Sequence, residues 1–258
     1  MRFKLVAAEY GAGPALAILH GLFGSGRNWA TIARRLGAFR RVLALDLRNH
    51  GASPWAVTMD YPAMAEDVRA TLHALGHREY ALLGHSMGGK VAMTLALHHP
   101  SEVERLVVAD IAPVTYPLHH LNLVQAMRGL DLATITHRGD ADLRLAAAVP
   151  DAAERGFLLQ NLLFDDARPR WRLNLEAIEH ELPRLVDFPA PAPGTVYPGP
   201  TLFVAGSRSD YVRPEHEAAV RALFPQARIE RIDAGHWLHA EQPLRFLALV
   251  EPFLRPAR

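Results

Sequence analysis

The fold turns on the stretch YALLGHSMGGKVAMTLAL, residues 80–97. An apolar run enters a glycine-rich turn, and apolar residues then recur at helical spacing. Strand, tight turn and helix follow in that order. The turn carries two overlapping motifs. Gly84-His85-Ser86-Met87-Gly88 is a G-x-S-x-G, which sets a serine on a sharp strand-to-helix bend. Gly84 to Lys90 also reads G-x-x-x-x-G-K, a phosphate-cradling loop short of its last hydroxyl. Val91 stands where that loop needs a serine or threonine for Mg²⁺, and valine has no oxygen to offer. The turn does not choose between serine and nucleotide chemistry; the flanking chain does.

Working outward, short apolar runs alternate with helical patterns. Residues 15–21 (ALAILHG), 41–47 (RVLALDL), 80–86 and 105–113 (RLVVADIAP) read as strands covered on both faces. Helical patterns fill 28–36, 64–75 and 88–99, and Pro100 closes the last. This alternation predicts an α/β fold with a mostly parallel sheet and helices on both faces. The rhythm breaks after Pro113. From about 115 to 187 four helical patterns follow one another with no convincing strand, ending in the Pro-rich connector FPAPAPGTVYPGP, residues 188–200. Sheet rhythm resumes at 201–206 (TLFVAG) and 227–235 (ARIERIDAG), with helices over 213–224 and 243–254. The expected organisation is one discontinuous core, 1–114 and 196–258, interrupted by a helical insert with its connector, 115–195.

Bulk composition narrows the function. The 258 residues are 50% hydrophobic and 21% charged, as in ordinary globular proteins, and suit one large domain or a domain with an insert. A formal net charge of +1 argues against a nucleic-acid partner. The absence of cysteine excludes disulfides, thiolate nucleophiles and Cys-held metals. The N-terminal MRFKLVAAEYGAG has no apolar signal core, and no window reaches the ~18 apolar residues of a membrane span. The default expectation is a soluble, cytoplasmic protein.

In a doubly wound sheet, functional groups collect at the carboxyl ends of strands. Those positions hold His20-Gly21-Leu22, Asp46, Ser86, Asp110, Asp210 and His236 in chain order. Serine, carboxylate and histidine thus follow three strands in sequence. A serine hydroxyl needs an imidazole to take its proton, and the imidazole needs a carboxylate to fix its tautomer. An oxyanion needs two backbone N–H donors. Met87, after the nucleophile, is one, and Leu22 in the loop after the first strand is the other. His20, Gly21 and His85 are supporting residues: His20 braces the oxyanion loop, and His85 packs or bonds within the turn. His50 reads as structural, His119 and His120 as surface or pocket lining. His236 and His239 have metal-like spacing, but no third ligand accompanies them.

The segments HGLFGSGRNW, DLRNHGASP, GHSMGGKVAM, ADIAPVTY and AGHWLHAEQP, in this order, resemble the cap-bearing carboxylesterase branch of the α/β-hydrolases. The resemblance covers residues 10–116 and 200–258. It implies a helical cap over the active site, a small-molecule ester or thioester substrate of short to medium chain, and no metal or organic cofactor. It also implies a catalytic Ser86 and His236. The fold's common arrangement selects Asp210 as the acid; the pattern in part of this branch selects Asp110, the second candidate. Ser209 or Asp210 in GSRSDYV occupies the equivalent position. A hydrolase-fold ligand-binding or signalling protein with slow turnover is the alternative from another class. Perhydrolysis and C–C hydrolysis are further reactions of the same fold.

Overall fold

The computed structural model describes residues 3–164 and 168–256. Residues 1–2, 165–167 and 257–258, which fall within the segments assigned from sequence, lie outside the described residues. Among those described, seven strands form one sheet in the order β1-β3-β2-β4-β5-β8-β9. They are β1 (Ala7–Tyr10), β2 (Ala15–Leu19), β3 (Arg41–Leu45), β4 (Tyr80–His85), β5 (Val103–Ala109), β8 (Thr201–Gly206) and β9 (Ala227–Ile232). β1 runs antiparallel to β3 and every other pairing is parallel. β2, β4 and β8 are buried along their whole length, as their unbroken apolar runs require.

Side chains alternate across the sheet and divide the core in two. On one face Ala17, Leu19 and Leu82 pack with α2 (Tyr61–Ala74) and α3 (Met87–His98). On the other, Leu16, Ile18 and Leu83 pack with α1 (Ala30–Leu36) and α10 (Pro243–Leu254). The expected strands and helices stand close to their sequence positions. β1 was not foreseen, because AAEY carries no clear apolar alternation.

Between β5 and β8 the chain forms α4 (Leu121–Arg128), α5 (Arg138–Leu145), α6 (Ala152–Leu159) and α7 (Leu175–Leu185). The expectation of no strand here is corrected by a short antiparallel pair, β6 (Leu162–Leu163) with β7 (Arg170–Trp171). Two residues are too few to show a period of two. Side chains pin this segment to the core loops. Asn161 Nδ2 donates to Phe23 O at 2.8 Å, and Asn174 Nδ2 to Asn49 Oδ1 at 3.1 Å. After β8 come α8 (Glu217–Leu223), then β9, α9 (Leu238–Glu241) and α10. Among the described residues no helix is long and apolar enough to cross a membrane.

Candidate active site

Ser86 sits between β4 and α3 at φ 52°, ψ −120°. An L-residue avoids positive φ, so surrounding contacts must hold it there. Ser86 N donates to Ala109 O at 3.0 Å, and Ser86 O accepts from Gly89 N and Lys90 N. A Cβ at Gly84 would stand 2.2 Å from Gly88 O, and one at Gly88 2.3 Å from Leu19 O. The G-x-S-x-G glycines are therefore what lets strand and helix cross this closely. Met87 opens α3, where backbone N–H groups lack intrahelical acceptors and the helix dipole is positive.

Leu22 lies on the loop after β2, and two buried imidazoles hold that region. His20 Nδ1 donates to Gly21 O at 2.8 Å, and its Nε2 accepts from Leu47 N at 3.0 Å. His50 Nδ1 donates to Arg48 O at 3.0 Å, and its Nε2 accepts from Phe23 N at 3.2 Å. Each ring spends one nitrogen as donor and one as acceptor, so only the neutral form fits. Burial lowers the pKa of His20 to about 4. Burial, with His20 as neighbour, lowers that of His50 to about 3. Asp46, at the end of β3, accepts from Gly26 N and Ala52 N, both at 2.8 Å, and tethers the same loops.

His236 Nδ1 lies 2.7 Å from Asp110 Oδ2. The Asp110 side chain is fully buried, and its backbone, at φ 51°, is strained as that of Ser86 is. Asp110 Oδ1 accepts from Gly206 N at 2.9 Å, and Ser209 Oγ donates to Oδ2. Nothing in this arrangement brings Asp210 to His236. The Asp210 side chain is 87% exposed and pairs with Arg213 at 3.2 Å. The expectation that Asp210 supports the histidine is corrected here, and the reason is local. Ser209 N closes a turn onto Gly206 O, which points the Ser209 hydroxyl inward and sends the next side chain out.

The His236 ring stacks on Tyr211 at 4.1 Å and touches the ring of His85 at 4.7 Å. His85 Nε2 donates to His236 O at 2.9 Å, and burial followed by the neighbouring His236 and His239 rings holds its pKa well below the usual value. His120, on the segment after β5, lines the same cleft. His119 lies on the outer side, in a surface groove with Arg208 and Asp210. Tyr211 was not singled out from sequence. Its only signal was an aromatic beside the candidate acid.

Lys90 is buried and its ammonium donates to Val114 O, Val186 O and Asp187 O at 2.9, 2.9 and 2.7 Å. It ties together the two places where the chain leaves the sheet after β5 and returns toward β8. Burial lowers its pKa to about 7, with Asp187 pulling the other way. With its three N–H groups spent on carbonyls and Val91 fully buried, the phosphate-loop reading has no cation and no hydroxyl to offer. Among the described residues no group of three His, Cys, Asp or Glu side chains gathers as a metal site.

Ser86 opens onto two clefts. One also contains His236, His239 and Phe157, and the other Met87, Lys90 and Leu182. A serine on a strained strand-to-helix turn, in one cleft with a carboxylate-held histidine and on a mostly parallel sheet, is an arrangement of the hydrolase class. The chain belongs to the α/β-hydrolase fold family, whose model matches residues 14–243. It is 44% identical to the sn-1-specific diacylglycerol lipase ABHD11 of Mus musculus over 93% of this chain and 81% of that protein. It is 35% identical to Esterase YbfF of Escherichia coli strain K12, over 93% and 92% of the two chains. The solved structure of a marine microorganism esterase superposes with a TM-score of 0.93 at 35% identity, covering 98% of this chain and all of that one.

Proposed function

We infer that the protein is a carboxylesterase-type serine hydrolase that cleaves small carboxylic esters or thioesters through an acyl-enzyme on Ser86. The observation that carries this reading is the 2.7 Å contact of His236 Nδ1 with the buried Asp110, in a cleft shared with Ser86. With Nδ1–H held by a carboxylate, Nε2 is the ring's free base. It takes the Ser86 proton as Oγ attacks the carbonyl, and Met87 N–H and Leu22 N–H receive the oxyanion. The proton then passes from His236 to the leaving alcohol. A water, deprotonated by the same imidazole, attacks the acyl-enzyme, and the proton returns to Ser86 Oγ as the carboxylic acid departs. Asp110 serves as the acid of the triad, and residues 115–195 form the cap that shapes the substrate's surroundings. The relatives named lipase and esterase support the same chemistry.

Hydrolysis of p-nitrophenyl esters over a series of acyl lengths tests this, with Ser86→Ala as control. The expected result is burst kinetics in the native chain and loss of turnover in the variant. Undiminished turnover in Ser86→Ala rejects the mechanism.

A further inference from the structure

The loop after β8 delivers more to the site than the Ser209 hydroxyl. In GSRSDYV, residues 206–212, Ser209 turns inward, Asp210 outward and Tyr211 inward again. The Tyr211 ring lies on the His236 imidazole at 4.1 Å and 27°. That contact is closer and more nearly parallel than the one with His85, at 4.7 Å and 40°. Asp110 holds His236 at Nδ1 alone. One hydrogen bond is soft to bending, so the ring can still rock about that atom. Rocking displaces Nε2, which must reach Ser86 Oγ and then the leaving oxygen, and proton transfer is sensitive to such displacement. The packing on the ring's face therefore decides where Nε2 points.

Tyr211 is itself held. Its N–H donates to Ser209 Oγ at 3.3 Å, so the hydroxyl that bonds Asp110 also bonds the residue that stacks on His236. Its carbonyl accepts from Tyr116 OH at 2.5 Å, and that hydroxyl accepts from Ala112 N at 2.9 Å. Tyr116 N donates in turn to Val186 O at 2.9 Å, where the chain returns toward β8. The Tyr211 hydroxyl lies 3.4 Å from His120 Nε2. The stack also acts on charge. As Ser86 gives up its proton the imidazole becomes a cation, and an aromatic face attracts a cation. Burial, then the charges of Asp110 and Glu154, raise the Tyr211 pKa, so the ring stays a neutral phenol. An attraction present only while His236 carries the extra proton favours the transition state over the ground state.

We propose that Tyr211 is a positioning residue for the reaction: its ring fixes the plane of the His236 imidazole and stabilises the imidazolium, and Tyr116 OH sets that ring's place through the Tyr211 carbonyl. The proposal rests on the ester-hydrolase reading and adds a residue that acts through His236 rather than on the substrate.

The test uses hydrolysis of p-nitrophenyl butyrate, with kcat and KM measured separately. Tyr211→Leu removes the π face and should lower kcat about 10-fold, the range of one partly desolvated cation–π contact, with KM changed by no more than about twofold. Tyr211→Phe restores the ring and should recover most of that loss. Tyr116→Phe removes the hydroxyl that holds Tyr211 O and should lower kcat about threefold. In a His236→Ala background, Tyr211→Leu should change the residual rate by no more than about twofold, because a residue that acts through the imidazole has nothing left to act on. Unchanged kcat in Tyr211→Leu overturns the proposal, as does a loss confined to KM. An equal fold-loss with and without His236 overturns it too, marking a merely structural role. Thermal melts identify a misfolded variant; if Tyr211→Leu does not fold, Tyr116→Phe decides, and native kcat there overturns the proposal. Loss of turnover in Ser86→Ala upholds the ester-hydrolase reading independently of every Tyr211 result.

Discussion

The segments that follow β5 and β8 each present an aspartate, and the two meet opposite fates. Asp110 is sealed from solvent on a left-handed backbone and receives Gly206 N, Ser209 Oγ and His236 Nδ1. Asp210, on the neighbouring strand's loop, faces water and a surface arginine. Both carboxylates sit where a parallel sheet gathers functional groups. The difference teaches that proximity to the strand end is insufficient. A carboxylate orients an imidazole only when its own lone pairs are fixed by other donors and water is kept away. The β8 loop still contributes, but as a donor to the acid, through Ser209.

The sharpest way to break this comparison is to exchange the two losses. Asp110→Asn should lower kcat on a p-nitrophenyl ester by about 10⁴-fold, because the amide no longer holds the base tautomer. Asp210→Asn should change it by no more than about threefold, the scale of an exposed ion pair. The reverse order would return the role to Asp210.

A second contrast lies between the buried imidazoles and the solvated histidines. His20 and His50 titrate in the fold at about 4 and about 3, against the ordinary 6.5, because burial penalises the charged ring. The unfolded chain therefore binds more protons between about pH 6.5 and 3. Stability is full above that window and falls as pH drops through it. For His20 alone the loss at pH 4 is about 3 kcal/mol. Urea unfolding at pH 7 and pH 4, native against His20→Asn, should show a smaller pH difference in the variant. An equal difference would remove His20 from the account.

Lys90 and Arg213 give a smaller test of the same two segments. Lys90→Met leaves the carbonyls of Val114, Val186 and Asp187 without their buried donor and should destabilise the fold by about 1–3 kcal/mol. Arg213→Ala, which removes only the solvent-exposed partner of Asp210, should stay within about 0.5 kcal/mol. Denaturant midpoints measure both, and a larger effect at Arg213 would contradict the burial contrast. The smallest expected effect is a rescue. Adding Ser209→Asp to Asp110→Asn moves a carboxylate to the β8 side of the histidine, and kcat should rise about 10-fold over the single variant.

Much of the architecture was legible because parallel strands buried on both faces must be apolar runs, and β2, β4 and β8 are. The glycine pattern around Ser86 was legible for a steric reason, since only glycine tolerates the close crossing of β4 and α3. The β6–β7 pair and β1 were not, being too short or too irregular to show a period. Which aspartate lies against His236 was not legible because GSRSDYV offers two adjacent polar side chains, and a shift of one residue in a turn reverses which of them faces inward. Nor does sequence say that Lys90, two residues beyond a G-x-S-x-G, would spend its ammonium on carbonyls drawn from residues 24, 96 and 97 positions away.

The sequence by itself determined the parallel α/β sheet, the strained serine turn and the histidine after the last strand, because local sterics and hydrophobic period act over neighbouring residues. Only the tertiary structure decided which aspartate reaches His236, and that His239 Nδ1 is buried without a hydrogen-bond partner among the described residues. Those outcomes depend on side chains more than a hundred residues apart meeting in a space from which water is excluded, and no local pattern encodes that meeting.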